Sequence, residues 1–121
     1  MQYILLIYDD EATWAGMSGE ERGRVMQEYM AYTQDLRDSG KFVGGDALQP
    51  VGTAKTVQSQ NGDRVVTDGP FAETKEQLGG YYVLNVANVD EAIEAGNRCP
   101  GAMYGTIELR PIQEFPDQPQ G

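Results

Sequence analysis

No histidine occurs among the 121 residues. Histidine is the usual proton shuttle near neutral pH and the commonest metal ligand, so its absence excludes serine-histidine and cysteine-histidine nucleophiles within this chain and disfavours a zinc site. Cys99 is the only cysteine, which excludes an internal disulfide and a cysteine metal cluster. Basic residues are scarce, nine against nineteen acidic, for a formal net charge of -10. That charge repels phosphate backbones and anionic lipid headgroups, so neither direct nucleic-acid binding nor a membrane partner is expected. No apolar run is long enough to cross a membrane. The opening Met1-Gln2-Tyr3-Ile4 lacks the basic lead and cleavage site of a secretory signal, and the expected location is the cytoplasm.

What is present reads as an ordinary globular domain, with 40% hydrophobic and 23% charged residues. A chain of this length buries roughly 65% of the surface that its unfolded form exposes, enough for a real core. Gln2 to Tyr8 is apolar on both faces, Tyr3, Leu5 and Ile7 on one and Ile4, Leu6 and Tyr8 on the other, so this strand should be covered on both sides. Asp9 to Gly16 reads as an acidic loop with Trp14 folding back onto the domain or a partner. Ser18 and Glu21 form a capping box that opens a helix ended by Gly40, with Val25, Met26, Tyr29, Met30, Thr33 and Leu36 as its inward stripe.

Phe42 to Leu48 reads as a second strand, broken by Gly44-Gly45. Asn61-Gly62 marks a hairpin between Ala54–Gln60 and Asp63–Thr67, because both residues tolerate the positive φ of a primed turn. Asp68-Gly69-Pro70 forces a reversal. A short helical piece is expected from Ala72 to Leu78, then a strand from Gly80 to Val86. Asn88 and Glu91 make a second capping box for a helix with Val89, Ala92, Ile93 and Cys99 inward. Gly105 to Arg110 is the last strand, with Ile107 and Leu109 on one face and Thr106, Glu108 and Arg110 on the other. Residues 1–113 form the domain and 114–121 a loose tail.

With the hairpin as an insertion, this order predicts an α+β, ferredoxin-like antiparallel sheet with two helices on one face. The other face is left bare and apolar, which predicts that a second copy covers it.

The stretch Asp68-Gly-Pro-Phe-Ala-Glu-Thr-Lys-Glu-Gln-Leu-Gly-Gly80, with Asp90-Glu91-Ala92 and Gly105-Thr-Ile-Glu-Leu-Arg-Pro111, resembles the signature of YCII-related proteins, in the subgroup named for its Asp-Gly-Pro-Phe motif. The resemblance spans residues 1 to about 113. It implies a dimeric α/β barrel, and related proteins have been proposed to use a histidine-aspartate pair. Here no histidine exists to form one.

Asp68 is the first candidate catalytic group: a carboxylate at the sheet rim near Phe71 and tyrosines would have its pKa raised by desolvation and serve as general acid or base. A turn aspartate also simply caps backbone N–H groups. Glu108 and Arg110 share one strand face, where the guanidinium would bind an anionic group and Glu108 steer it; the pair also reads as a structural ion pair. Tyr8, Tyr81 and Tyr82 are candidate pocket hydroxyls, at least one of the last two facing the bare side. Phe71 is an apolar anchor. Glu73, Lys75 and Glu76 form either a lid or dimer contact or a solvated face. Cys99, near a helix end that disfavours a thiolate, reads as core.

Two functions remain. One is a homodimeric protein binding a small anionic or aromatic molecule in a cavity on the open sheet face, with cofactor-free acid-base catalysis of isomerase or lyase type. The other, which the resemblance implies through members that accompany sigma factors, is a non-catalytic regulatory or ligand-binding module.

Overall fold

The computed structural model describes residues 1–116. Four strands form an antiparallel sheet: β1 (Gln2–Asp9), β2 (Phe42–Ala47), β5 (Gln77–Asn85) and β6 (Thr106–Pro111), in the order β2-β5-β1-β6. A separate ribbon pairs β3 (Lys55–Gln60) with β4 (Asp63–Asp68). Asn61 (φ 51°) and Gly62 (φ 87°) make its turn, as the Asn-Gly signal requires. The helices are α1 (Glu11–Ala15), α2 (Gly19–Asp38), α3 (Val89–Arg98) and α4 (Gly101–Tyr104). The four-stranded sheet is that of a ferredoxin-like domain, in which each helical crossover joins two parallel strands with a third, antiparallel strand between them: α2 leads from β1 to β2 across β5, and α3 from β5 to β6 across β1.

Tyr3, Leu5, Ile7, Tyr82, Leu84 and Val86 point to one face of the sheet and form the core with Tyr32 and Leu36 of α2 and Ala92 and Ala95 of α3. Both long helices therefore lie on this face. The opposite face carries Ile4, Leu6, Tyr8, Tyr81 and Val83, each half-buried, with Glu108 in register with Leu6 and Arg110 with Ile4.

Both N-caps form, without the reciprocal glutamate bond that would complete a capping box among the described residues. Ser18 Oγ accepts from the Glu21 N–H at 3.1 Å and Asn88 Oδ1 from the Glu91 N–H at 3.0 Å. The expected acidic loop is in part a helix, because the Asp10 side chain accepts from the Ala12 N–H at 2.9 Å and caps α1.

Three expectations are corrected. The buried stripe of α2 is Val25, Tyr32 and Leu36 with Tyr29 beside it, whereas Met26 and Met30 are exposed, Met30 by 70%. At about 100° per residue, Met30 lies well round the helix from that stripe, and Met26, Thr33 and Arg37 form its flank. On α3, Val89 and Ile93 face outward, and Ala92, Ala95 and Gly96 face the sheet. The helix approaches β6 so closely that a Cβ on Gly96 would stand 3.1 Å from Leu109 Cδ1, which leaves room only for small residues. The helix expected over Ala72 to Leu78 does not form. Gln77 Nε2 donates to the Thr74 carbonyl at 2.7 Å and the Thr74 hydroxyl donates to the Glu76 carbonyl, so side chains take up carbonyls that a helix would use. Gln77 instead begins β5.

The sequence's tail, 114–121, is represented by Glu114 to Pro116, which are exposed and outside any strand or helix; residues 117–121 lie outside the described ones. Among the described residues no helix is long and apolar enough to cross a membrane.

Candidate functional site

The flank of α2, the C-terminal end of β1, α1 and the β2 edge enclose a cleft of about 430 Å³. Its apolar wall is Ile7, Trp14, Met26, Phe42, Ala47 and Leu48, with Tyr29 and Tyr82 contributing ring faces. That size falls within the range of small-molecule sites. It lies on the helix side of the sheet, whereas the cavity expected on the open face would need a second layer to close it.

Asp9 lines the cleft, together with the charged residues Glu11, Asp46 and Arg37. β1 alternates inward at Tyr3, Leu5 and Ile7, and Asp9 continues that phase at the strand's end. The pairing of β1 with β5 shifts between Ile7 and Tyr8, so that Ile7 faces Gly80 and Tyr8 faces Leu78, with Gly79 as the extra residue of a β-bulge. A Cβ on Gly79 would meet Asp9 Oδ1 at 3.3 Å. The double glycine thus makes the bulge and leaves room for the carboxylate. Burial raises the Asp9 pKa above its ordinary 3.8, and the negative charges of Glu11, Glu76 and Asp10 raise it further.

The acids around Asp9 are engaged: Glu11 Oε2 accepts from the Val51 N–H at 2.9 Å, Glu76 Oε1 from the Thr106 hydroxyl at 2.7 Å, and Asp10 caps α1. Among the described residues the Asp9 carboxylate accepts no hydrogen bond, and it borders both this cleft and a smaller pocket beside Trp14 and Tyr104.

Hydroxyl groups complete the wall. Tyr82 and Thr33 bond through their hydroxyls at 2.7 Å, and Thr33 Oγ1 donates to the Tyr29 carbonyl at 2.8 Å. Tyr29 lies beside buried Cys99. Burial pushes the pKa of Tyr29 and Tyr82 up, so both phenols remain protonated near neutral pH. Burial also raises Cys99, in accord with its core reading. At the far end Arg37 lies with its guanidinium carbon 4.2 Å from the centre of the Phe42 ring.

The sequence candidates are dispersed. Tyr82 lines the cleft; Tyr81 borders it, but its register with Leu6 puts its side chain on the open face, where its hydroxyl donates to Asp46 Oδ2 at 2.8 Å. Tyr8 is also on the open face, as are Glu108 and Arg110, which bond each other at 2.6 Å. Asp68 closes the hairpin ribbon, 84% exposed and ion-paired to Lys55, so the expected desolvation is absent. Phe71 is 74% exposed and Lys75 is exposed as well. Asp9, Trp14, Tyr29 and Arg37 were not singled out for chemistry. The available signal was the inward phase of Asp9 on a two-faced apolar strand. Among the described residues no three Cys, Asp or Glu side chains converge as a metal site would need.

Comparison with known proteins agrees with this architecture. The chain is 38% identical over 114 residues to the uncharacterised protein R00369 of Rhizobium meliloti (strain 1021), covering 93% of this chain and 92% of the relative. In fold it resembles the 5-chloro-2-hydroxyhydroquinone dehydrochlorinase TftG of Burkholderia phenoliruptrix AC1100, solved in complex with 2,5-dihydroxybenzoquinone. The TM-score is 0.55 at 13% identity, over 95% of this chain and 96% of that one. The model of the YCII-related domain matches residues 1–116, and the chain belongs to that family.

Proposed function

We propose that this chain binds a small aromatic molecule in the cleft between α2 and the sheet, and that Asp9 moves a proton on it without a cofactor. The observation that carries the reading is the Asp9 carboxylate itself, without a hydrogen-bond partner at an aromatic cavity, with its pKa raised by burial and by neighbouring negative charges. Tyr29 would donate to an oxygen on which charge develops, while the Tyr82 hydroxyl gives its proton to Thr33 and offers the ligand its ring face. The dihydroxybenzoquinone bound by the structural neighbour is a ligand of the size and ring character that such walls accept.

The open face supports a second part of the reading, a homodimer in which two sheets meet through Ile4, Leu6, Tyr8 and Val83. Glu108 and Arg110 would then lie at the edge of that interface. Phe71, Lys75 and Asp68, exposed in the single chain, would meet the second copy or solvent there.

Trp14 is the only tryptophan and lines the cleft, so its fluorescence reports occupancy directly. Phenols and hydroquinones should change that emission and raise the melting temperature. Asp9→Asn should retain binding and lose any turnover. Retained stabilisation with no turnover in the unaltered chain would assign the binding-module reading, the accessory role that the family resemblance implies. If no aromatic compound alters Trp14 emission or thermal stability, the cleft is not a ligand site.

A further inference from the structure

We infer that the cleft takes an elongated aromatic acid, with its carboxylate held by Arg37 at one end and an ionisable hydroxyl presented to Asp9 at the other. The inference rests on the cleft being the ligand site and adds the class of ligand.

Two charged side chains of this cleft, Asp9 and Arg37, form neither an ion pair nor a hydrogen bond among the described residues. The ion pairs use Arg24, Lys41, Lys55, Arg98 and Arg110, and Arg22 donates to the Trp14 and Ala15 carbonyls. Arg37 is the cleft's cation and forms none of these contacts; only the Phe42 ring supports it. Asp9 is the matching case among the acids. Glu11 is held by Val51, and Asp46 points to the other face and is held by Tyr81.

The distance between the two ends sets the length of the ligand. Tyr29 adjoins the Asp9 end and Arg37 lies eight residues further along α2, about 12 Å at 1.5 Å per residue. Between them the wall is Phe42, Tyr82, Met26 and Ile7, which offers no charge. A polar-apolar-polar cleft of this length suits an acid separated from a phenol by a ring and a short chain better than an acid attached directly to the ring. The net charge of -10 opposes every anion at long range. An anionic ligand is thus retained only through a local contact, and a planar guanidinium matches a carboxylate with two parallel N–H groups.

Arg37 also stands in the last turn of α2, where any cation interacts favourably with the helix dipole. That role predicts a change in stability and none in ligand preference, so the two are separable. The test measures dissociation constants for para-hydroxycinnamate, its primary amide and para-hydroxybenzoate by Trp14 fluorescence, on the full chain and on Arg37→Gln, Arg37→Lys and Asp9→Asn. The acid should bind about tenfold tighter than the amide, as one solvent-facing charge-assisted contact allows. Arg37→Gln should erase that preference by weakening the acid about tenfold more than the amide, Arg37→Lys should keep part of it, and Asp9→Asn should keep all of it. The shorter para-hydroxybenzoate should bind more weakly than para-hydroxycinnamate. Equal binding of acid and amide, or a preference that survives Arg37→Gln, overturns the inference. If neutral phenols bind with no preference for acids, only this inference falls; if no aromatic compound binds, the cleft reading falls with it.

Discussion

Asp9 and Asp68 each end a strand, and the contrast between their surroundings separates the two halves of this molecule. Asp9 ends β1 on the helix side of the sheet, walled by Trp14 and Tyr29, with its pKa raised by burial. Asp68 ends β4 on a ribbon whose two strands pair only with each other, and its carboxylate stands in solvent against Lys55. The more conspicuous sequence motif surrounds the second, while the desolvation that alters carboxylate chemistry acts on the first. A motif describes local backbone chemistry, here a tight reversal; the dielectric around a side chain is set by what distant segments bring to it.

The sharpest break of this comparison is in packing. Leu84 is fully buried between α2, α3 and the sheet, and Leu84→Ala should cost about 2–5 kcal/mol in urea unfolding. Val66 sits on the ribbon, 64% exposed opposite Val57, and Val66→Ala should change stability by less than about 0.5 kcal/mol. A ribbon substitution as costly as the core one would mean that the ribbon is covered in solution by a second copy, and the two halves would no longer differ in burial.

Much of the fold was legible in local chemistry. The two-faced apolar strand, Ser18 and Asn88 as caps, and Asn61-Gly62 as a hairpin each depend on residues close in sequence, and each formed. The alternation at Ile107 and Glu108 likewise assigned the faces of β6, because strand phase is local. The cleft was not legible, because it depends on the rotation of α2 about its axis. That rotation follows from Tyr32 bonding the Ala95 carbonyl at 2.6 Å and packing edge-on against Tyr82, contacts that cross the whole chain. It turns Met26, Thr33 and Arg37 to the cleft and sends Met30 to solvent. Gly79-Gly80 was visible as a pair, but its meaning as a bulge opposite Asp9 needed the register of β1 on β5.

A second test of the comparison uses pH. A carboxyl whose folded pKa lies above its unfolded value holds its proton more tightly when folded. Its contribution to stability is complete below the unfolded value and is lost as pH rises through the folded one. For Asp9 the window opens near 3.8 and extends upward; Glu11, Asp10 and Glu76 face the group from the neighbouring segments, and Tyr29 from α2. Asp9→Asn, which cannot ionise, should therefore melt higher than the unaltered chain at pH 7, with the gap closing as pH falls below 4. A residue that lowers stability where it is ionised is a common mark of a functional group. A melting temperature that drops at pH 7 on this substitution would show Asp9 to be a structural acceptor.

The smallest expected effect belongs to Asp68. Its partner Lys55 is 64% exposed, and exposed ion pairs contribute about 0–1 kcal/mol because water and salt screen them and both side chains lose rotamer freedom. Asp68→Asn should lower stability by no more than that, and by less in high salt. The Gly69 N–H, bonded to the Ala54 carbonyl at 2.7 Å, and the Thr56 hydroxyl, bonded to the Gly69 carbonyl at 2.8 Å, hold the reversal independently of the carboxylate. The substitution therefore removes a charge without loosening the turn, and ligand binding read from Trp14 should not change. Should Asp68→Asn instead abolish binding while Asp9→Asn leaves it intact, the working carboxylate lies on the ribbon and needs a second copy to enclose it, which reverses the roles assigned here to the two aspartates.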